Sequence, residues 1–344
     1  MRVLTLAHRY VPVHCAGAET MLHSMLRALA QRGHDVQVVL SAQGGQPYEL
    51  DGVKVAPFVS KRDVFAHLPH ADVLISHLMN TPRATFLGGW NGVPVVLIHH
   101  NTFEVTKRAL LTPQARVDLV VANSQWMADD LHAWFAARDI PPPKTVIVRP
   151  LADPGEYATT PGDRVTLVNL RQMDRDPGTG STMGKGAEVF WALAERMPNT
   201  RFLGVRGAYG TQMIRDLPNV EVLEHVAHDA MRDKVFARTR VLLMPSSYES
   251  WGRVGVEAMA SGIPVIAHPT PGLRESLGDA GIFLDRDDTD GWCRALRTLA
   301  MPGPYKAASR RALARAGELA PGPDLDRWCD AVEHAASRRL TGVR

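Results

Sequence analysis

Runs of Val, Leu and Ile that are apolar on both faces recur along the first half of the chain, at residues 3–7, 35–40, 72–76, 94–98 and 118–122. A strand with no polar face has no side for water, which is the pattern of a buried parallel sheet. Helical spacing fills the gaps between runs. After the first run, Leu22, Met25, Leu26 and Leu29 fall on one face, and Arg32-Gly33 closes that helix before the next strand.

The alternation stops at "RPLADPGEYATTPGD", 149–163, which is rich in Pro, Gly and Thr and reads as a linker. It then resumes with apolar runs at 165–168, 201–205, 220–223, 240–244, 264–267 and 281–284. The predicted fold class is α/β, with two doubly wound parallel-sheet domains at 1–155 and 156–322. In the closing segment, 323–344, Leu325, Trp328, Ala331, Val332 and Ala335 share a face. It reads as an amphipathic helix packing on a domain, the N-terminal one included. Ligands of such sheets bind beyond the carboxyl ends of the strands, and two sheets facing each other would make a cleft. One stretch departs from the pattern. "RQMDRDPGTGSTMGKG", 171–186, is longer than a usual strand-to-helix turn and predicts either a mobile loop over the cleft or a surface insertion.

Composition narrows the picture only slightly. The 344 residues suit two cores, and 45% hydrophobic with 22% charged residues is ordinary for a soluble globular protein. A formal charge of +3 gives no strong case for a nucleic-acid or membrane partner, while a pI of 8.8 leaves either open. Three scattered cysteines, Cys15, Cys293 and Cys329, suit a reducing cytosol. A strand starting at residue 2 leaves no room for a signal peptide, and no apolar run reaches membrane-span length. The expected location is cytoplasmic, with peripheral placement at a membrane left open and no stable membrane span.

The densest chemistry lies in "SSYESWGRVGVEAMASGIPV", 246–265, where Glu249 and Glu257 stand eight positions apart. Pro245 stops the strand before it, and a helix begins near Gly252. First-turn amides lack intrahelical partners and the helix dipole is positive there, so a diphosphate is well served. Gly252 and Gly255 would let backbone approach a ligand closely. Glu249 could accept hydrogen bonds from sugar hydroxyls, and Glu257 could hold a ribose diol. The plainer alternative makes Arg253 and Glu257 a helix-surface ion pair at i, i+4, with Glu249 merely favouring the helix start.

"YESWGRVGVEAMASGIPVIA" resembles the Glu-x7-Glu signature of retaining glycosyltransferases of the GT-B fold, in glycosyltransferase family 4. The resemblance implies two Rossmann-like domains and transfer of a sugar from a nucleotide diphosphate sugar to a hydroxyl acceptor, with retention and without a metal. The donor is then a substrate and no cofactor is expected. No Asp-x-Asp or histidine cluster suited to a metal stands in the sequence.

The same resemblance assigns roles elsewhere. "VPVHCAGAET" is similar to the family's Pro-x-x-x-Gly-Gly-x-Glu stretch; Ala16 departs from the first glycine, and Gly17 takes the second, near donor phosphate or sugar. "VPVVLIHHNTF" places His100 near the anomeric carbon, with His99 as its substitute if the register slips and His77 as a neighbour past another strand end. Lys185, before Gly186, would neutralise the diphosphate together with Arg171 or, failing that, Arg206; a solvated surface charge is the alternative for either arginine. Glu224, His225 and Val226 would meet the nucleobase. Amides of Trp251, Gly252, Arg253 and Val254 would stabilise the growing phosphate charge. His100 and Glu249 are the expected catalytic residues, fixing the sugar, and Ser124 is expected to cap a helix. Two further readings stay open: a nucleotide-sugar epimerase of the same architecture, and a non-catalytic nucleotide-sugar-binding protein. The acceptor (small molecule, glycan, lipid carrier or modified DNA base) and the oligomeric state are not legible.

Overall fold

A computed structural model describes the chain except for residues 43, 58–63, 65, 113–114, 151, 176–181 and 339–344. It divides into two compact units, Met1–Pro150 with Gly322–Arg344, and Leu151–Pro321. The division falls at 150, where the sequence suggested 155.

The first unit carries β1 (Arg2–Ala7), β2 (Asp35–Leu40), β3 (Tyr48–Leu50), β4 (Val53–Pro57), β5 (Val73–His77), β6 (Val95–His99), β7 (Leu119–Ala122) and β8 (Thr145–Ile147). They form one sheet in the order β3-β4-β2-β1-β5-β6-β7-β8. All neighbours pair in parallel except β3 on β4, and Val3 sits between Val36 and Val73. Strands β5, β6 and β7 are buried at every position, as their unbroken apolar runs require. The sequence reading missed β3, β4 and β8. Val53 and Val55 are buried while Lys54 between them is exposed, and Thr145–Ile147 is only half-buried. Strands at or near a sheet edge keep a wet face, so their apolar signal is thin.

Helix Gly17–Gln31 buries Met21, Leu22, Met25, Leu26 and Leu29, and Gly33 just past its end has φ 84°. Against it lies the last helix, Gly322–Ala336. Trp328 is fully buried and its Nε1 donates to the Met25 carbonyl at 2.8 Å. Asp324, also buried, accepts from Arg149 Nε at 2.9 Å and Nη2 at 2.5 Å. The chain thus returns to its first unit through an aromatic anchor and a shielded ion pair, where burial of an indole alone favours docking by about 2–3 kcal/mol.

The second unit carries β9 (Arg164–Val168), β10 (Asp174–Arg175), β11 (Thr182–Met183), β12 (Phe202–Val205), β13 (Val220–Leu223), β14 (Thr239–Met244), β15 (Val265–Ala267) and β16 (Ile282–Phe283). Its main sheet, β13-β12-β9-β14-β15-β16, is parallel throughout. The long 171–186 stretch is more than a turn: β10 and β11 pair antiparallel, Asp174 opposite Met183. Residues 176–181 at its centre lie outside the described residues.

Each sheet has a point where the chain reverses its direction of travel. In the first unit it lies between β1 and β5, in the second between β9 and β14. Crevices at such points, beyond the carboxyl ends of the strands, are where α/β sheets hold ligands.

Candidate active site

In the second unit, Pro245 ends β14 and the chain is fastened at once to residues 184–186. Ser247 N donates to Gly184 O at 3.0 Å, and Gly184 N donates back to Ser247 Oγ at 3.0 Å. The φ of Gly186 is 85°, and a Cβ there would fall 2.3 Å from the Pro245 ring. The glycine after Lys185 is therefore required by the protein's own packing. This clasp brings Lys185 Nζ to 2.5 Å from Glu249 Oε1, which also accepts from Ser246 Oγ at 3.0 Å. A third segment closes on the same place: a Cβ on Gly272 would lie 2.2 Å from the Glu249 carbonyl oxygen. Glu249 and Lys185 are 14% and 35% exposed, enough for a ligand to reach both.

The following helix spans Arg253–Met259, with Gly252 as a left-handed N-cap at φ 80°. Two expectations need correction here. Gly252 and Gly255 do not leave room for a ligand. A Cβ on Gly252 would meet Leu273 Cδ2 at 2.3 Å, and one on Gly255 would meet Met244 Sδ at 2.7 Å. These glycines let the helix settle onto its own core, whose side chains occupy the space. Arg253 and Glu257 do pair, Nε to Oε1 at 2.9 Å, but not on a surface: their side chains are 10% and 7% exposed. Burial pushes the Glu257 carboxyl up and the Arg253 guanidinium down, and each is opposed by the charge of the other. Trp251 is buried beside them, and Val254 packs against the same core.

The remaining candidates of this unit spread out. Arg171 bridges Gln212 through its backbone and lays its side chain along Gly210. Asn169, at φ 85°, turns the chain there and accepts from Arg171 N at 3.0 Å. Arg206, half-buried, stands 3.5 Å from the exposed Glu224, at the ends of β12 and β13. Val226 is partly buried on the second core and His225 is exposed. The structure thus joins Lys185 to Glu249, and Arg206 to Glu224, as separate pairs.

In the first unit the histidines gather at the ends of β5 and β6. His77 Nδ1 lies 3.3 Å from His100 Nε2, with the rings edge to face. Burial holds both near pKa 3, each pushed further down by neighbouring histidines. His99 is held near 4 by burial and the Lys107 ammonium. It turns toward a small cavity lined by Thr81, Asn101, Thr106 and Leu110, and its buried Nε2 has no hydrogen-bond partner among the described residues. All three are neutral, able to donate or accept but not to supply charge. Leu78, after His77, sits at φ 50°, a strained position for a branched side chain. Gly17 is exposed, and a Cβ there would touch nothing within 4 Å. Ser124 caps its helix, its Oγ accepting from Met127 N at 3.2 Å.

Sequence reasoning missed Ser246, Ser247 and Gly272, which shape the Lys185–Glu249 pair, and Tyr157 and His228, which meet Arg253. The doubled serine after a stopped strand and the Pro271-Gly272 helix start after β15 were the available signals. Among the described residues no three His, Cys, Asp or Glu side chains gather as a metal site would need. No helix there is long and apolar enough to cross a membrane.

Two family models match. Glycosyltransferase Family 4 covers residues 16–155, and Glycosyl transferases group 1 covers residues 187–301, together well over half of the chain. The chain belongs to the family-4 glycosyltransferases. This transferase is 28% identical over 291 residues to the D-inositol 3-phosphate glycosyltransferase of Actinosynnema mirum, a match covering 72% of this chain and 68% of that one. With the enzyme of the same name from Segniliparus rotundus it shares 29% over 227 residues, or 60% of this chain but only 49% of the relative. The transferase therefore aligns with about half the length of some of its relatives. Among solved structures, Anabaena HepE in complex with UDP-glucose superposes with a TM-score of 0.76 at 19% identity, covering 97% of this chain and all of that one. Sucrose-phosphate synthase from Thermosynechococcus elongatus follows at 0.73 and 16% identity, covering 98% and 99% of the two chains. At these identities the likeness is one of fold, and the fold of the transferase is GT-B.

Proposed function

We propose that this glycosyltransferase moves a sugar from a nucleotide diphosphate sugar to a hydroxyl acceptor, with retention at the anomeric carbon and without a metal. The observation that carries the reading is the Lys185–Glu249 contact beyond β14, at the switch point of the second sheet. Lys185 is a fixed cation for the diphosphate, and Glu249 is an acceptor for sugar hydroxyls held within reach of it. Glu257 is assigned to the ribose diol. His100, in the first unit, is assigned to a sugar hydroxyl, which a neutral imidazole can bind in either sense. The reading accords with HepE, which was solved with UDP-glucose.

In this scheme the bond from the anomeric carbon to the phosphate oxygen breaks. The bond to the acceptor oxygen forms on the same face, and the leaving phosphate oxygen takes the acceptor's proton. No protein nucleophile is needed, and the Lys185 charge answers the negative charge gained by the departing diphosphate.

A thermal-shift screen over nucleotide sugars identifies the donor. Turnover is then measured with and without EDTA in the wild type, Glu249→Ala and Glu257→Ala. Glu257→Ala should abolish donor binding, and Glu249→Ala should lower kcat more than it raises KM. Full activity of both variants would sink the reading, and loss of wild-type turnover in EDTA would remove its metal-independence.

A further inference from the structure

Tyr157 belongs to the short helix Pro154–Tyr157, nearly a hundred residues before Arg253, yet their side chains meet in the core of the second unit. Arg253 Nη2 donates to Tyr157 Oη at 3.0 Å and lies 3.3 Å from His228 Nε2. Tyr157 Oη is in turn 2.9 Å and 2.7 Å from the two ring nitrogens of His228. A guanidinium can only donate, so the His228 nitrogen facing it presents a lone pair. The other edge of the guanidinium is turned to Glu257, Nε to Oε1 at 2.9 Å.

The arrangement is anchored. Ser261 Oγ donates to Tyr157 O at 2.8 Å and accepts from Thr159 N at 3.0 Å, tying this segment to the end of the helix that carries Arg253 and Glu257. The Tyr157 ring, 2% exposed, packs edge-on against Phe236 and His228. Besides Glu257, the Glu156 carboxylate also acts on the Arg253 charge, while Tyr157 and His228 meet its Nη2 as acceptors that add no further negative charge.

We infer that Tyr157 and His228 are positioning residues for the donor site: they hold Arg253, and Arg253 holds the Glu257 carboxylate in place for the ribose. The inference rests on the assignment of Glu257 to the ribose. It predicts a sequence signal as well, since a tyrosine from the linker and a histidine after β13 must reach one arginine.

Titration calorimetry with UDP, GDP, ADP and TDP tests it, using whichever diphosphate binds the wild type most tightly. Tyr157→Phe and His228→Leu should each weaken that Kd about tenfold, the size of a lost hydrogen bond to a charged group. The kcat at saturating donor should stay within about twofold, because neither residue meets the reacting atoms. His228→Gln, whose amide oxygen can still accept, should recover most of the affinity lost in His228→Leu. That recovery separates positioning from mere packing, and it can be read even if Tyr157→Phe fails to fold. Wild-type affinity in Tyr157→Phe and His228→Leu, with Glu257→Ala still unable to bind, overturns this inference alone. Equal affinities of His228→Gln and His228→Leu do the same. Normal binding by Glu257→Ala, or no binding of any of the four diphosphates by the wild type, removes the ribose reading and this inference with it.

Discussion

At the ends of β5 and β6 the first unit collects His77 and His99, both buried, and His100, half-buried, all three neutral. Beyond β14 the second unit collects Lys185, Glu249, Arg253 and Glu257, largely shielded but joined as cation–carboxylate pairs. Both sets occupy the carboxyl ends of parallel strands near a switch point. The difference lies in what surrounds each group. The neighbours that act on the histidines are other histidines and a lysine, so burial drives off their protons unopposed. Each of the two pairs in the second unit instead sets opposite charges 2.5 Å and 2.9 Å apart, which offsets part of the cost of shielding them. One fold, used twice, thus yields a neutral hydrogen-bonding surface in one copy and a fixed electrostatic field in the other. An anionic diphosphate is matched by the second.

The harshest way to break this contrast is to remove the cation. Lys185→Ala deletes the charge assigned to the diphosphate and strands Glu249 without its partner. Glycosyl transfer measured as kcat/KM should fall by about a thousandfold or more, with Lys185→Arg retaining part of the activity. A Lys185→Ala enzyme within tenfold of the wild type would mean that the field of the second unit is not what the reaction uses.

The histidines give a gentler probe. Their folded-state values, about 3 for His77 and His100 and about 4 for His99, lie below the ordinary 6.5. The unfolded chain therefore takes up protons first as the pH falls. The stability contributed by keeping these rings neutral is full above about pH 6.5 and is lost progressively as the pH drops toward the folded values. Each ring adds at most about 1.4 kcal/mol per pH unit to that slope. Imidazole NMR titration should find these three still neutral at pH 5, where an unperturbed imidazole is already protonated. A midpoint near 6.5 for His77 or His100 would erase the distinction between the two units.

How legible these regions were in the sequence follows the same physics. The Val- and Leu-rich runs announced the central strands because both faces are dry, while β3, β4 and β8 near the edges carried too few apolar residues to register. The Glu249–Glu257 spacing located the charged site, since local sequence fixes what stands at the start and middle of one helix. It could not reveal that Gly252 and Gly255 serve Leu273 and Met244, or that Arg253 turns inward to Tyr157 and His228. Those contacts join residues from about ten to about a hundred positions apart, and only the closed fold brings them together. Lys185 was found through a family resemblance. That it would pair with Glu249 was not, because the clasp between Ser247 and Gly184 leaves no local pattern.

Two glycines offer the finest comparison, for each stands beside a helix start in its own unit and only one is required by the protein. Gly252→Ala would place a methyl group 2.3 Å from Leu273 Cδ2 on a backbone already at φ 80°. Left-handed strain and overpacking together should destabilise the second unit by about 2 kcal/mol or more. Gly17 has an unstrained backbone, and a methyl group added there would have no atom within 4 Å. Gly17→Ala should therefore leave stability unchanged or raise it by up to about 1 kcal/mol, the helix-propensity difference. Nothing among the described residues then accounts for a glycine at 17. If the backbone there must admit a donor phosphate or sugar, the Ala variant should melt like the wild type in calorimetry yet transfer sugar at least tenfold more slowly. Equal activity would free Gly17 from any role at the site, and would leave Ala16, the neighbour where the family carries another glycine, equally without one.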